Sequence, residues 1–81
     1  MVEEKINEVL AVLEEIMGDA TVPKNVKLHL QTSIQALRMN GELSLKISRV
    51  MNELDEIAND SNVESYTRSQ IWNVVSLLET L

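Results

Sequence analysis

The chain contains no cysteine and no phenylalanine, and proline, tryptophan and tyrosine each occur once among its 81 residues. The absence of cysteine excludes disulfide bonds, thiolate metal sites and thiol nucleophiles. A chain of this length lies near the lower size limit for folding on a hydrophobic core of its own. Helix packing, association with a partner subunit, or both must therefore supply its stability.

Basic residues are also scarce, since 7 Lys and Arg side chains stand against 13 Asp and Glu side chains, for a formal net charge of -6. A charge of this sign repels phosphate backbones, so we predict that the chain has no nucleic-acid partner. Every apolar run is shorter than the roughly 20 residues of a membrane helix. The first residues lack the basic and apolar regions of a secretion signal. We therefore expect a cytoplasmic protein without membrane contact.

Residues that carry chemistry are few. Gly18 and Gly41 are isolated, which excludes a glycine-rich phosphate loop. His29 is the only histidine, and Val26 stands three residues before it, so the Glu-x-x-His motif of di-iron bundles is missing. No serine lies in a G-x-S-x-G elbow. We predict a non-enzymatic protein without a cofactor, in which His29 is a partly exposed packing residue.

What the chain does have is an internal repeat, because residues 5–37 realign on residues 46–78 with a constant shift of 41 positions and no gap. A repeat of this length is typical of a helical hairpin that cannot bury its apolar face alone. The fold is therefore predicted to contain two copies of one hairpin. The identical pairs are Lys5/Lys46, Ile6/Ile47, Val9/Val50, Leu13/Leu54, Glu15/Glu56, Ile16/Ile57, Asp19/Asp60, Val22/Val63 and Leu37/Leu78.

Apolar residues that recur every three or four positions predict four helices. Thr21 and Ser44 are the predicted N-caps of the second and third helices, and Pro23 is tolerated in the first turn of the second. Asn40 and Gly41 accept the left-handed conformation and are predicted to end that helix. The predicted helices cover about residues 2–17, 22–39, 45–58 and 63–81.

Short connections between four helices predict an all-α fold, a four-helix up-and-down bundle made of two pseudo-repeated helical hairpins. We assign residues 1–81 to a single helical domain, with hairpin one at about 2–39 and hairpin two at about 44–81. Two hairpins are too few for a free-standing solenoid, so the copies should close on each other. In that arrangement the turns within the two hairpins lie at the same end of the molecule.

Acidic residues concentrate around both of these turns, and two interpretations are open. Hard cations require several oxygen ligands, so the turns could form a divalent-cation site where they meet. Alternatively, the aspartates cap the following helices and the other carboxylates are solvated or pair with Lys24, Lys27 or Arg68. Neither turn has the spacing or central glycine of a calcium loop, which favours the second interpretation and no metal. The candidate ligands are Glu15, Asp19, Glu56 and Asp60.

Some large apolar residues fall outside the predicted core stripes. Leu28 and Met39 lie on the side of the second helix opposite its core, and Trp72 points about 160° away from Val74 on the fourth helix. Trp and Met outside a core stripe are typical of contact surfaces. Leu28, Met39 and Trp72 are therefore the interface candidates. The alternative is that Trp72 folds over the bundle edge beside Val75 and Met39 lies under a loop.

The runs Leu13–Ile16, Thr21–Val26, Leu54–Asp60 and Ile71–Ser76 resemble a family of small archaeal proteins of the uncharacterised, UPF type, and the resemblance covers nearly the whole chain. It implies an all-helical bundle, an archaeal cytoplasm and no assigned activity or catalytic residue. The spacing L-x-E-I-x-x-D-x-x-V also resembles a HEAT-like helical repeat.

Two functional hypotheses follow from these observations. The leading one is a non-enzymatic helical protein-interaction module, whose partner is another protein or a second copy of the chain. The alternative is a divalent-cation-dependent protein that uses the paired acidic turns.

Overall fold

The computed structural model describes residues 1–81 and contains four α-helices: α1 (Val2–Met17), α2 (Lys24–Arg38), α3 (Leu43–Ala58) and α4 (Ser65–Glu79). Each boundary of α3 and α4 lies 41 positions after the corresponding boundary of α1 and α2, as the repeat predicts. Every helix packs against its two neighbours in the sequence, α4 returns to α1, and the diagonal pairs make no contact. The predicted all-α four-helix up-and-down bundle of two repeated hairpins is confirmed.

The repeat also organises the hydrophobic core. Seventeen buried apolar residues form one cluster along the bundle axis. Equivalent positions of the two hairpins are both buried in it, because the same three-and-four spacing recurs in both copies. The fully buried pairs include Val9/Val50, Leu13/Leu54, Ile16/Ile57 and Leu30/Ile71.

The start of α2 differs from the prediction. The helix begins at Lys24 rather than Val22, and Pro23 takes the N-cap position, where its carbonyl accepts the Lys27 N–H at 3.0 Å. Thr21 is therefore not the cap. Its hydroxyl donates to Asp19 Oδ1 at 2.7 Å, because a tight turn separates it from the helix. Val22 is buried beneath this turn instead of opening the helix.

The predicted starts of the third and fourth helices are also wrong: α3 begins earlier, at Leu43, and α4 begins later, at Ser65. Glu42 and Glu64 occupy the N-cap positions, and neither makes a side-chain capping bond. Ser44 therefore lies inside the first turn of α3. Gly41, with φ of 150°, turns the chain so sharply that the helix begins before Ser44. Val63 is buried in the preceding turn, where its N–H donates to the Asp60 carbonyl at 3.2 Å.

The turns within the two hairpins lie at the same end of the bundle, as predicted. The direct evidence is a hydrogen bond from Asn25 Nδ2 to Asp60 Oδ2 at 2.8 Å, which joins the start of α2 to the α3–α4 turn. At the opposite end, Lys5 Nζ donates to Thr80 Oγ1 at 2.8 Å and holds α1 to α4. No helix has the length and apolar character that crossing a membrane requires.

Candidate functional site

The first acidic turn is closed by its own aspartate. Asp19 Oδ1 accepts the Thr21 hydroxyl at 2.7 Å and the Thr21 backbone N–H at 2.8 Å. These bonds stabilise the charged carboxylate, so they hold the pKa of Asp19 below its ordinary value. The predicted cap of the following helix is therefore wrong, because the side chain bonds two residues ahead within the turn.

The second acidic turn repeats this geometry. Asp60 Oδ1 accepts the Asn62 backbone N–H at 2.8 Å, and Oδ2 accepts the Asn25 amide. The bond from Asn62 and then the bond from Asn25 hold the pKa of Asp60 below its ordinary value. Arg68 also stabilises this turn. Its Nε donates to the Ala58 carbonyl and its Nη2 donates to the Asp60 carbonyl, each at 3.0 Å. Both carboxylate oxygens of Asp60 and Oδ1 of Asp19 thus accept hydrogen bonds within the chain.

The other carboxylates near the turns do not pair as predicted. Glu14 forms an ion pair with Arg38 at 2.7 Å rather than with Lys24 or Lys27. Glu15 is exposed, and Glu56 lies 3.5 Å from His29 Nε2. No group of three or more Asp, Glu or His side chains is placed so that it could hold one metal ion. The four candidate ligands therefore do not meet in one cluster.

His29 connects α2 to α3 in a way that the sequence interpretation missed. Its Nδ1 lies 2.5 Å from Glu53 Oε2, and the imidazole is about one-third exposed, at 33%. Both residues of this pair depart from the repeat, because Gln70 and Val12 stand at the equivalent positions of the other copy. The contact does not form a nucleophile with a base: Ser33 is fully buried, and its hydroxyl donates to the His29 carbonyl at 3.0 Å.

Two of the three interface candidates lie on one surface. Leu28 is 61% exposed and Met39 is 64% exposed on the outer side of α2. Leu45 of α3, which the sequence interpretation did not single out, is 66% exposed. We call this surface the α2–α3 face. It consists of Leu28, Thr32, Gln35 and Met39 from α2 and Leu45, Arg49, Glu53 and Glu56 from α3.

A groove of about 290 Å³ marks one end of the α2–α3 face, where the two helices connect. Met39, Leu45 and Arg49 line it, together with polar side chains of α2. Lys46 joins the two sides of the groove, because its Nζ donates to the Met39 carbonyl at 2.9 Å. The groove therefore combines apolar side chains with a positive charge on a chain that is otherwise acidic.

Trp72 lies elsewhere. It is 48% exposed and lines a groove between α3 and α4 with Met51, Asp55 and Val75. Since α2 and α4 make no contact, Trp72 does not join Leu28 and Met39 in one patch. Tyr66, at the start of α4, is a further exposed aromatic residue that the sequence interpretation did not mark.

Comparison with known proteins identifies relatives that have no assigned activity. The sequence model of an uncharacterised protein family, UPF0147, matches residues 1–81. A UPF0147 protein of Thermoplasma volcanium is 43% identical over 76 residues, which are 93% of this chain and 85% of that protein. A crystal structure from the same uncharacterised family, of a Thermoplasma acidophilum protein, is 40% identical with a TM-score of 0.92 over 98% of this chain and 94% of that one. The crystal structure of a protein of unknown function, MMP1188, is 35% identical with a TM-score of 0.93 over 100% and 93%.

Proposed function

The chain belongs to the UPF0147 family of uncharacterised proteins, which has members across the archaea, and we propose that it acts as a non-enzymatic protein-interaction module through its α2–α3 face. The partner is a protein, in the cytoplasm. The observation that carries the proposal is that Met39 and Leu45 are exposed around one groove while Leu28 is exposed about three turns away on the same side of α2, since large exposed apolar side chains that share a face are typical of an interaction site.

The internal repeat supplies a comparison for this face within the same molecule. The junction of α4 with α1 is equivalent to the junction of α2 with α3, because each joins one hairpin to the other. There, exposed polar side chains stand at the positions that match the exposed Leu, Met and Arg residues of the α2–α3 face, whereas Val12, which is apolar and half-buried, matches Glu53. The pairs at a shift of 41 are Leu28/Ser69, Met39/Thr80, Leu45/Glu4 and Arg49/Glu8. The α4–α1 junction therefore packs without exposed Leu or Met at these positions. Folding does not account for Leu28, Met39 and Leu45 on the α2–α3 face.

The absence of an assembled catalytic group supports the non-enzymatic part of the proposal. An active site brings an acid, a base or a nucleophile within reach of one another in a concave pocket. The ionisable side chains that line the groove on the α2–α3 face are one arginine, one lysine and one glutamate, without histidine or aspartate. The divalent-cation alternative has less support, because no three Asp, Glu or His side chains converge and Asp60 accepts hydrogen bonds on both carboxylate oxygens.

The repeat also provides the test variant. The triple substitution Leu28→Ser, Met39→Thr and Leu45→Glu gives the α2–α3 face the residues of the equivalent α4–α1 surface, so we expect it to fold. Circular dichroism checks the fold. Tagged wild-type and variant chains, expressed at native level in an archaeal host in place of its own family member, are purified and their bound proteins compared.

We expect the wild-type chain to bring down a protein, a second copy included, and the triple variant to lose it. The matched control is Asn7→Ser with Ala11→Glu on the exposed side of α1, which should retain it. If the wild-type chain binds nothing, or if the folded triple variant keeps every bound protein, the proposed function is wrong. A separate Trp72→Ala variant determines whether the α3–α4 groove contributes.

A further inference from the structure

The charges of the α2–α3 face are separated along its length. Arg49 lies near the connection between α2 and α3, where it lines the groove with Lys46 and a single acidic residue, Glu42, and it makes no ion pair or hydrogen bond within the chain. Glu56, on the same side of α3 toward the opposite end, is 69% exposed, whereas Glu53 is 23% exposed and contacts His29. A surface that is basic at one end and acidic at the other is complementary to its own copy turned end for end.

The apolar residues of the face follow the same arrangement. Leu28 stands near the acidic end of α2, and Met39 stands at the basic end beside the groove. The two side chains share one stripe, since eleven residues at about 100° each bring them within roughly 20° of each other. End-for-end pairing of two copies therefore places the exposed Leu28 of one chain against the groove of the other.

From these features we infer that the partner of the α2–α3 face is the same face of a second copy, related by a two-fold axis across α2 and α3. This inference rests on the proposed interaction role of the face. The two copies run antiparallel, Leu28 of each packs on Met39 and Leu45 of the other, and Arg49 of each pairs with Glu56 of the other.

The register of α2 against α3 allows a single two-fold axis to relate both the apolar and the charged contacts. Met39 lies level with Lys46, since the Lys46 ammonium reaches its carbonyl, and His29 lies level with Glu53 and Glu56. On this register the midpoint between Leu28 and Met39 is level with Val50 and Met51 of α3. The midpoint between Arg49 and Glu56 lies between residues 52 and 53, about two residues or roughly 3 Å further along α3. To within about one helical turn, one two-fold axis therefore relates both the apolar and the charged contacts.

The dimensions of the bundle set the expected strength of this contact. With extents of 32 × 20 × 18 Å, one face buries at most roughly 600 Å² per copy. The total of about 1,200 Å² is the lower end of the range for specific interfaces. The net charge of each copy also opposes association. We therefore expect a reversible dimer with a Kd in the micromolar range.

Charge exchange gives a test that only a two-fold contact between copies passes. Arg49→Glu alone puts glutamate opposite glutamate twice in the dimer, and Glu56→Lys alone puts lysine opposite arginine twice. Each variant should weaken self-association about tenfold, because exposed ion pairs are individually worth little. In a mixture of the two variants, one variant chain pairs with the other through two favourable contacts. The mixture should therefore dimerise as the wild-type chain does, although neither variant does so alone.

Sedimentation equilibrium from about 1 µM to about 1 mM measures the monomer–dimer equilibrium, since that range spans Kd values from a few micromolar to several hundred micromolar. The control is Glu8→Lys on the α4 side of α1, which makes a charge change like that of Glu56→Lys outside the face and should leave dimerisation intact. The inference is wrong if the wild-type chain is monomeric throughout, if either charge variant dimerises as the wild type does, or if mixing restores nothing. In any of these cases the capture experiment decides separately whether the face binds a different protein.

Discussion

Arg68 gives the sharpest test of how the repeat is stabilised, because the equivalent residue in the first hairpin does not make the same hydrogen bonds. Its guanidinium donates to the carbonyls of Ala58 and Asp60, each at 3.0 Å, and ties the start of α4 to the end of α3. Lys27, 41 positions earlier, makes no side-chain hydrogen bond. Arg68→Met keeps an apolar stem and removes both donors.

The expected cost follows from these two bonds. A hydrogen bond from a charged donor contributes roughly 1.5–3 kcal/mol when both groups are buried, and less here because water can reach the freed carbonyls. We therefore expect Arg68→Met to lower the free energy of unfolding by about 1–3 kcal/mol. For a chain of this size that is a decrease in Tm of roughly 5 °C or more.

Urea and thermal unfolding followed by circular dichroism measure the loss. Lys27→Met is the matched control and should cost less than about 0.5 kcal/mol, since it breaks no bond. Arg68→Lys should fall between wild type and Arg68→Met, because an ammonium cannot reproduce the planar fork that bridges two carbonyls. If Arg68→Met and Lys27→Met destabilise equally, the bridge to the two carbonyls does not stabilise the fold.

Three further outcomes are expected. Gly41→Ala should lower the free energy of unfolding by about 1–3 kcal/mol, because the Gly41 φ of 150° strongly favours glycine. Gly18→Ala should be neutral or stabilising, because the Gly18 φ of -80° suits any residue. Urea unfolding of both variants compares the two effects, and equal losses of stability would contradict this. The lowered pKa of Asp60 contributes stability that is present above the unfolded value of 3.8 and is lost as the pH falls through the lower folded pKa. The stability gap between wild type and Asp60→Asn should therefore close on acid titration, and a constant gap would rule out the linkage. Leu13→Ala and Leu54→Ala should each cost about 2–5 kcal/mol by urea unfolding, and similar amounts, since both sites are fully buried at equivalent positions.

The repeat made the architecture predictable. Spacing alone identified four helices, because apolar periodicity reflects the core that both hairpins share. It did not locate the helix starts. Thr21 and Ser44 have the side chains of good caps, but the turns before α2 and α3 fix the first helical residue through backbone geometry at Pro23 and Gly41. Cap preference is a local signal that such turns override.

The surface was predictable where one helix determines it. The exposure of Leu28, Met39 and Trp72 follows from their angle to the core stripe of their own helix. Which of them share a face depends on how the helices are arranged, and this separates Trp72 from the other two. The contact of His29 with Glu53 depends on the register between α2 and α3, so periodicity could not reveal it.

The two hairpin junctions perform the same structural task, and their difference is the best guide to function. If fold alone mattered, selection for solubility would favour a polar surface at both junctions, because exposed apolar patches promote unwanted association. One junction has that surface, with Glu4, Glu8 and Ser69, while the other retains Leu45, Arg49 and Leu28 at the same positions. Transferring the polar residues to the second junction should therefore leave the fold intact and remove association. An activity that survives the transfer would have to reside outside the α2–α3 face, with the groove around Trp72 as the next surface to test.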